Sequence, residues 1–200
     1  MAKGITRVLA QSYPGEIGLH SRDIAKAQNT ISNLQIDARP VALKELFNTD
    51  ILIHTMWFND ALEWVDRYRA ELRGKILVDI SNPFNETFDD FTIDFDTSAA
   101  EEIQKLIPKT TVVTAFKNTY WVVFDNPEFG GIKSDIYVTS NNEIARKKII
   151  GLLKPTPFRI FDAGMLKNSR TIERMTLLEK ELATKAGNHP RVSFHLWGIK

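Results

Sequence analysis

Short apolar segments alternate along this chain with longer segments whose apolar residues recur every three or four positions. The short segments predict strands, and several are almost continuously hydrophobic, which is typical of strands buried on both faces of a parallel sheet. The predicted strands cover residues 16–20, 51–56, 76–80, 111–116, 135–139 and 158–161. This alternation of strands and helices predicts a doubly wound α/β fold with a mostly parallel sheet.

Polar and glycine residues mark the ends of several predicted helices. Ser98 and Glu101 form a capping box ahead of an apolar helical pattern, and Ser140 and Glu143 repeat the same spacing. Gly74 follows another helical pattern and is expected to end that helix, because glycine adopts the left-handed conformation without strain. These signals place helices between the predicted strands.

The last helix is predicted to be the longest and to cover residues 165–187. Its apolar residues either pack on the sheet or join two copies of the chain as a homodimer. They are Leu166, Met175, Leu178 and Leu182. No linker divides the sequence, so we expect one domain over residues 1–200.

Residues 85–96 are both acidic and aromatic. Their four aspartates offer metal ligands, but a solvated loop is the commoner role for such a charged segment. We therefore predict no metal site, and we expect Phe88, Phe91 and Phe95 to turn inward.

Composition narrows the function. The net charge of +1 disfavours a strongly basic nucleic-acid binder, and the absence of cysteine excludes disulfide scaffolds and thiol catalysis. Residues 1–10 lack a signal-peptide core, and the apolar run at residues 51–58 is shorter than the ~20 residues of a membrane span. We predict a cytoplasmic protein with neither nucleic-acid nor membrane partners. No serine hydrolase, Walker or zinc-protease motif occurs.

Three segments carry a resemblance to a known family. Residues 78–83 read Val-Asp-Ile-Ser-Asn-Pro, residues 112–116 read Val-Val-Thr-Ala-Phe, and residues 162–173 run from Asp-Ala-Gly to Arg170 and Glu173. Together they resemble the NADP oxidoreductases that reduce a deazaflavin coenzyme, and also the cytosolic reductase domain of the six-transmembrane metalloreductases. Two positions depart from the family pattern: Ser169 replaces an alanine, and Lys117 stands where asparagine is usual.

The resemblance implies a Rossmann-like dinucleotide-binding domain. Met1 and Ala2 match the fifth and sixth positions of the family's glycine fingerprint, so the usual first strand and the first two glycines are missing from this sequence. We expect a gap, or a non-standard strand order, beside the strand at residues 16–20. An artificial start is the favoured explanation. The alternatives are a rearranged sheet and a strand lent by another chain.

The end of the second Rossmann strand contacts the cofactor's ribose. Ser21 and Arg22 fall where the family has a Ser-Arg pair, which implies NADP, because arginine accommodates the 2′-phosphate. Asp23 is acidic, and an acidic side chain there would instead accept a hydrogen bond from the NAD ribose. The commoner role for such an aspartate is to cap the next helix.

The resemblance also implies the remaining cofactor-binding residues. Thr55 and Met56 are expected to flank the dinucleotide, and the others to wall the nicotinamide pocket. The wall residues are Asn82, Pro83, Ala115 and Phe116. A small-molecule or flavin-like electron acceptor is expected to enter over Trp57, Phe84 and Trp121. Hydride transfer needs no dedicated acid or base, so no catalytic residue is predicted.

Two alternatives remain open at this point. One is an imine reductase of the pyrroline-5-carboxylate reductase type, whose members share the Met-Ala-x-Gly-Ile start. The other is a non-catalytic Rossmann domain that acts as a binding or regulatory module, for which the absent glycine loop is the argument.

Overall fold

The computed structural model describes residues 1–199 and shows an α/β architecture. The helices are α1 (Ala2–Ser12), α2 (Ile24–Leu34), α3 (Leu43–Leu46), α4 (Phe58–Arg67), α5 (Ala99–Leu106), α6 (Glu143–Leu153) and α7 (Ser169–Lys185). The strands are β1 (Gly18–Leu19), β2 (Arg39–Pro40), β3 (Ile51–His54), β4 (Ile76–Asp79), β5 (Thr111–Thr114), β6 (Glu128–Phe129), β7 (Ile132–Lys133), β8 (Asp135–Val138) and β9 (Arg159–Asp162). Short 3₁₀ turns lie at Trp121–Phe124 and Leu166–Asn168.

The centre of the fold is a parallel sheet in the order β3-β4-β5. Its last residues lie in register, with His54 opposite Asp79 and Asp79 opposite Thr114. The carboxyl ends of the three strands therefore share one edge, where open α/β sheets bind ligands. Strands β8 and β9 form a second parallel pair, which an isolated bridge between Thr114 and Thr139 joins to β5.

Alternate residues of the central strands pack on opposite faces of the sheet. Val78 and Val113 belong to a cluster that includes residues of α1 and α6, whereas Leu77 and Val112 belong to one that includes residues of α4 and α5. Helices thus cover both faces, which confirms the doubly wound arrangement predicted from the apolar pattern.

The sheet is interrupted beside β1. Strand β1 pairs with β2 in a separate parallel pair, and β3 pairs with β4, so β1 and β3 are not hydrogen-bonded to each other. A cavity of about 500 Å³ lies between them, lined by residues of both strands and of α1. This confirms the predicted gap beside residues 16–20.

Several predicted strands are shorter than expected. The strand at residues 16–20 keeps two residues, and the one at residues 111–116 ends at Thr114. Phe116 adopts a φ of +58°, which is incompatible with a strand, so the chain turns immediately after β5. The strand at residues 51–56 likewise ends at His54, where Thr55 and Met56 lead into α4.

Hydrogen bonds at the starts of α5 and α6 show which residues cap these helices. Ser98 is confirmed as the N-cap of α5, because its side chain accepts from the Glu101 N–H at 3.2 Å. The Glu101 carboxylate accepts from the Ser98 hydroxyl at 2.8 Å, whereas a full capping box would use the Ser98 N–H. The Ser140 capping box is wrong, since Asn142 caps α6 by accepting from the Ala145 N–H at 3.0 Å. The Ser140 hydroxyl instead donates to a carbonyl oxygen of β5, at Val112.

The other two helix-end predictions also needed correction. Gly74 does not end α4, which stops at Arg67; turns follow, and the Gly74 N–H donates to the Lys109 carbonyl at 2.9 Å. Helix α7 begins at Ser169, later than residue 165, because a 3₁₀ turn precedes it. Leu166 is buried in the chain's own core, whereas Leu178 and Leu182 are exposed on α7.

The segment after α7 contacts the parallel pair of β8 and β9. Asp135 at the start of β8 is fully buried and accepts from the Arg159 guanidinium at 2.7 and 2.9 Å. It also accepts from the Leu196 N–H, and its own N–H donates to the Phe194 carbonyl. Within residues 1–199, no helix has the length and apolar composition needed to cross a membrane.

Candidate functional site

The predicted cofactor residues lie in the turns that follow the central strands. Thr55 and Met56 follow β3, and Asn82 and Pro83 lie just beyond β4. The other two wall residues, Ala115 and Phe116, follow β5 directly. Because the three strands end in register, these turns lie side by side along one edge. The structure therefore brings the predicted nicotinamide residues together, while Ser21 and Arg22 lie at the end of β1, across the cavity.

In the turn after β1, the neighbouring charged residues Arg22 and Asp23 have different roles. The Asp23 side chain caps α2 by accepting from the Ala25 N–H at 2.9 Å. Arg22 is exposed and forms no salt bridge within residues 1–199, and Ser21 is half-buried beside it. His20 fixes the turn from the other side, since its Nδ1 lies 3.0 Å from the Val41 carbonyl oxygen of the segment that follows β2.

The turn after β4 presents an unpaired polar atom. The Asn82 Nδ2 donates to the Lys117 carbonyl at 2.8 Å, whereas its Oδ1 is buried without a partner in the described part of the chain. Pro83 is buried, and its carbonyl accepts from the Thr92 N–H at 2.8 Å. Asn82 thus leaves one buried acceptor that a ligand can satisfy.

The turn after β5 can contact a ligand through its main chain more than through its side chains. Ala115 and Phe116 are both buried. The Phe116 ring packs in the core against Phe124 and Phe158, with centroids 5.3 and 6.2 Å apart. Contact between these residues and a cofactor, which stays a prediction, would therefore be made mainly through the main chain.

A buried cluster of charged and polar side chains lies beneath these turns. Lys117 Nζ is 2.7 Å from Asp79 Oδ2 and 2.8 Å from Glu173 Oε1. His54 Nε2 lies 2.9 Å from Asp79 Oδ1, but neither ring nitrogen forms a hydrogen bond with the described residues. All four side chains are almost wholly inaccessible to water.

The pKa values in this cluster follow from burial and pairing together. Burial alone would raise the pKa of Asp79, but Lys117 and His54 hold it below its usual value. Burial alone would lower the pKa of Lys117, but Asp79 and Glu173 raise it overall. Burial raises the pKa of Glu173, and Lys117 only partly opposes that shift. The ammonium of Lys117 therefore stays charged in a dry environment.

Sequence reasoning missed this cluster. In the sequence, Lys117 stands out only as a departure from the family pattern, and no motif includes His54. The usable signal was positional, because His54 and Asp79 end neighbouring apolar strands and Lys117 follows the third. Charged residues at such places are rarely buried unless they are paired.

The motif at residues 162–173 anchors α7 to the rest of the fold. Arg170 forms a two-pronged ion pair with Glu101 of α5, at 2.8 and 2.6 Å. The Glu173 carboxylate accepts from the N–H groups of Ala99 and Ala100, at the positive end of the α5 dipole. Ser169 lies 2.7 Å from Thr139 through their hydroxyl groups, which gives the substituted serine a partner.

Three aromatic side chains, which we call the aromatic patch, lie beyond the carboxyl ends of β3 and β4. They are Trp57, Phe84 and Phe88. The rings of Trp57 and Phe88 are 5.7 Å apart, those of Phe84 and Phe88 are 5.5 Å apart, and Trp57 is 64% exposed. Trp121, also expected near the acceptor, is exposed and packs edge-on against Tyr120.

The expectation that Phe88 and Phe95 turn inward is wrong. Phe88 is 41% and Phe95 78% exposed. Arg174 of α7 lies 3.6 Å from the Phe95 ring centroid, and Lys180 of the same helix donates to the Phe88 carbonyl at 2.6 Å. Helix α7 thus holds the loop by cation–π and main-chain contacts instead of a hydrophobic core. Residues 1–199 contain no group of three side chains suited to hold a metal ion.

Comparisons with known proteins agree with this architecture. A family described as NADP oxidoreductase, coenzyme F420-dependent, matches residues 1–83. The F420-dependent NADP reductase of Methanocaldococcus jannaschii is 33% identical over 191 residues, which cover 88% of this chain and 84% of that protein. The chain belongs to the coenzyme F420-dependent NADP oxidoreductase family.

The chain covers very different shares of its further relatives. Human metalloreductase STEAP2 is 31% identical over 110 residues, which are 54% of this chain but 21% of that protein. The crystal structure of a candidate F420-dependent NADP reductase from Arthrobacter sp. FB24 superposes with a TM-score of 0.79 at 19% identity, covering 92% of this chain and 90% of that one. The imine reductase of Streptomyces aurantiacus gives 0.60 at 14% identity, covering 91% and 59%. These two structures establish the shared fold alone.

Proposed function

We propose that this family member binds NADP(H) along the carboxyl edge of its sheet and transfers a hydride between NADPH and a deazaflavin such as coenzyme F420. One observation carries the cofactor choice. At the end of β1, the Asp23 carboxylate is engaged in capping α2, whereas Arg22 is exposed and unpaired within residues 1–199.

This division of roles favours NADP over NAD. An acidic side chain selects NAD by accepting from the free 2′-hydroxyl, and Asp23 Oδ1 already accepts from the Ala25 N–H at the start of α2. An arginine selects NADP because its guanidinium donates charge-assisted hydrogen bonds to the 2′-phosphate. Ser21, directly before Arg22, adds a hydroxyl donor at the same turn.

The turns after β4 and β5 fit the nicotinamide end. The buried, unpartnered Oδ1 of Asn82 is an acceptor for the carboxamide N–H₂ of the ring. Ala115 and Phe116 would wall the ring with buried main chain, and Thr55 and Met56 would flank the dinucleotide. Satisfying a buried polar atom on binding adds affinity, because that atom otherwise stays unpaired.

The reaction places few chemical demands on the chain. NADPH, when bound, supplies the hydride itself. The residues at this edge need only orient the nicotinamide, exclude water and present a face to the acceptor.

The aromatic patch supports a flat, aromatic acceptor. Trp57 and Phe88 expose ring faces beyond the carboxyl ends of the strands. Aromatic rings stack on such faces in offset or tilted arrangements. The name of the Methanocaldococcus relative includes F420, which makes a deazaflavin the first acceptor to test. No observation favours the imine reductase alternative, whose structural likeness extends to the fold alone.

The test is a steady-state assay of NADPH oxidation with coenzyme F420, FMN and a cyclic imine as separate acceptors. We expect turnover with F420 at a KM well below that for FMN, and none with the imine. Turnover with the imine alone, or with none of the three acceptors, would contradict the proposed reaction.

A matched pair of variants tests the aromatic patch. Trp57→Ala should raise the KM for the deazaflavin about two- to tenfold, the loss expected for one aromatic contact, and leave the KM for NADPH unchanged. Trp197→Ala removes a tryptophan that is also exposed but packs on His195 in the C-terminal segment, and should change neither constant. Equal effects from both variants would remove the patch from the acceptor site.

A further inference from the structure

We propose that Lys117 is a positioning residue for the nicotinamide half of the cofactor. It joins the turns after β4 and β5 and fixes both to α7. This inference rests on the proposed function, because it assigns the two turns to the nicotinamide. Nothing in the predicted site required a lysine at this position.

The two turns are tied together in both directions through Lys117. Its ammonium donates to the Ser81 carbonyl of the β4 turn, and its own carbonyl accepts from the Asn82 Nδ2 at 2.8 Å. Asp79 closes the same turn by accepting from the Ser81 N–H at 2.8 Å and from its hydroxyl at 2.7 Å. The orientation of Asn82, which carries the unpaired acceptor, therefore depends on where Lys117 lies.

The Lys117 ammonium has three close partners. It forms ion pairs with the Asp79 carboxylate at 2.7 Å and the Glu173 carboxylate at 2.8 Å, and it donates a hydrogen bond to the Ser81 carbonyl. A buried ammonium needs such partners, and moving it away from any of them would leave a charge unpaired. Glu173 is held in turn by the first N–H groups of α5. The Lys117 side chain thus links the turn after β4, the turn after β5 and helix α7.

The backbone beside Lys117 is strained. Phe116 has a φ of +58°, in the left-handed region that a bulky residue rarely adopts. Such a conformation persists only where surrounding contacts over-determine it, and it concentrates at ligand-binding places. The buried Phe116 ring holds one side of this turn, and the ion pairs of Lys117 hold the other.

The location of Lys117 predicts which half of the cofactor it affects. Its contacts lie at the ends of β4 and β5, whereas Arg22 lies at the end of β1 with the cavity between. Loss of Lys117 should disturb the nicotinamide site and leave the site for the adenosine 2′-phosphate intact. A role confined to overall stability would weaken both halves together.

The experiment compares two ligands on the intact chain. Wild type and Lys117→Met are titrated with NADPH and with 2′,5′-ADP, which carries only the phosphate-bearing half, and kcat is measured with F420. We expect 2′,5′-ADP affinity within about twofold of wild type, while NADPH affinity falls and kcat falls by about ten- to a hundredfold, as expected for misplaced reacting groups. Lys109→Met, at an exposed lysine after α5, is the matched control and should change nothing.

A second variant guards against misfolding. Asp79→Asn combined with Lys117→Met removes a carboxylate together with the ammonium, and circular dichroism checks that each variant is folded. Equal losses for both ligands, no loss for either, or unfolding of both variants would overturn the positioning role. Failure of the wild type to bind NADPH would instead overturn the proposed function and this inference with it.

Discussion

The ammonium of Lys117 lies 2.8 Å from the Glu173 carboxylate, and both side chains are withdrawn from water. Glu173→Ala should lower the free energy of unfolding by about 3–5 kcal/mol, because it leaves a buried cation short of one partner. It also leaves the Ala99 and Ala100 N–H groups without their acceptor. Urea denaturation measures the change. Glu181→Ala, at an exposed glutamate of the same helix, is the control and should have little effect, so equal losses in the two variants would count against the buried cluster.

Glu179 on α7 should make stability fall as the pH rises. It is 6% exposed, neither carboxylate oxygen has a partner among the described residues, and burial raises its pKa to about 8 from 4.5. Burial and the nearby Glu179 also raise the pKa of Tyr120, which stays neutral throughout this range. Between pH 4.5 and about pH 8, Glu179 has lost its proton in the unfolded chain but keeps it in the folded chain. The folded state therefore loses stability as the pH rises through this range.

The Glu179→Gln variant isolates this effect. Its free energy of unfolding should exceed that of wild type by a growing amount between about pH 5 and about pH 8, reaching a few kcal/mol at about 1.4 kcal/mol for each pKa unit. Glu181→Gln should show no such trend, because that carboxylate is exposed and pairs with Lys185. A constant difference between Glu179→Gln and wild type across this range would show that Glu179 is not protonated in the fold.

Two glycines in helices should respond oppositely to alanine. A Cβ added at Gly4 of α1 would lie 2.6 Å from the Phe124 side chain, whereas one at Gly151 of α6 meets nothing within 4 Å. Gly4→Ala should destabilise by about 1–3 kcal/mol through overpacking. Gly151→Ala should stabilise by about 0.5–1 kcal/mol, because glycine is a poor helix former. Thermal unfolding measures both, and a gain at Gly4 would contradict the close packing of α1.

The sequence predicted the fold where patterns are local. The apolar strands and the N-cap at Ser98 could be predicted from neighbouring positions in the sequence. The gap beside β1 was predicted by matching Met1 and Ala2 to the glycine fingerprint of the family. The Ser140 capping box failed because that hydroxyl donates to Val112, a residue far away in sequence. Such tertiary contacts override local signals.

The site was predictable in position but not in detail. Parallel strands made it possible to place Asn82 and Pro83 at the binding edge, but not to see that Lys117 reaches back to Asp79 and Ser81. That ammonium is buried only because two carboxylates and a carbonyl lie around it, and such a grouping is a property of the folded chain. The inward turn expected of Phe95 failed similarly, because its partner is Arg174 on a distant helix.

The central claim is that Arg22 selects NADP. The direct measurement is a fluorescence titration of the 200-residue chain with NADPH and, separately, with NADH. We predict tighter binding of NADPH, and in Arg22→Ala a loss of about 1.5–3 kcal/mol for NADPH alone, the range for hydrogen bonds to charged groups. Lys26→Ala, at an exposed cation in the first turn of α2, should bind both as wild type does. Equal affinity for the two cofactors, or no change in Arg22→Ala, would contradict the account.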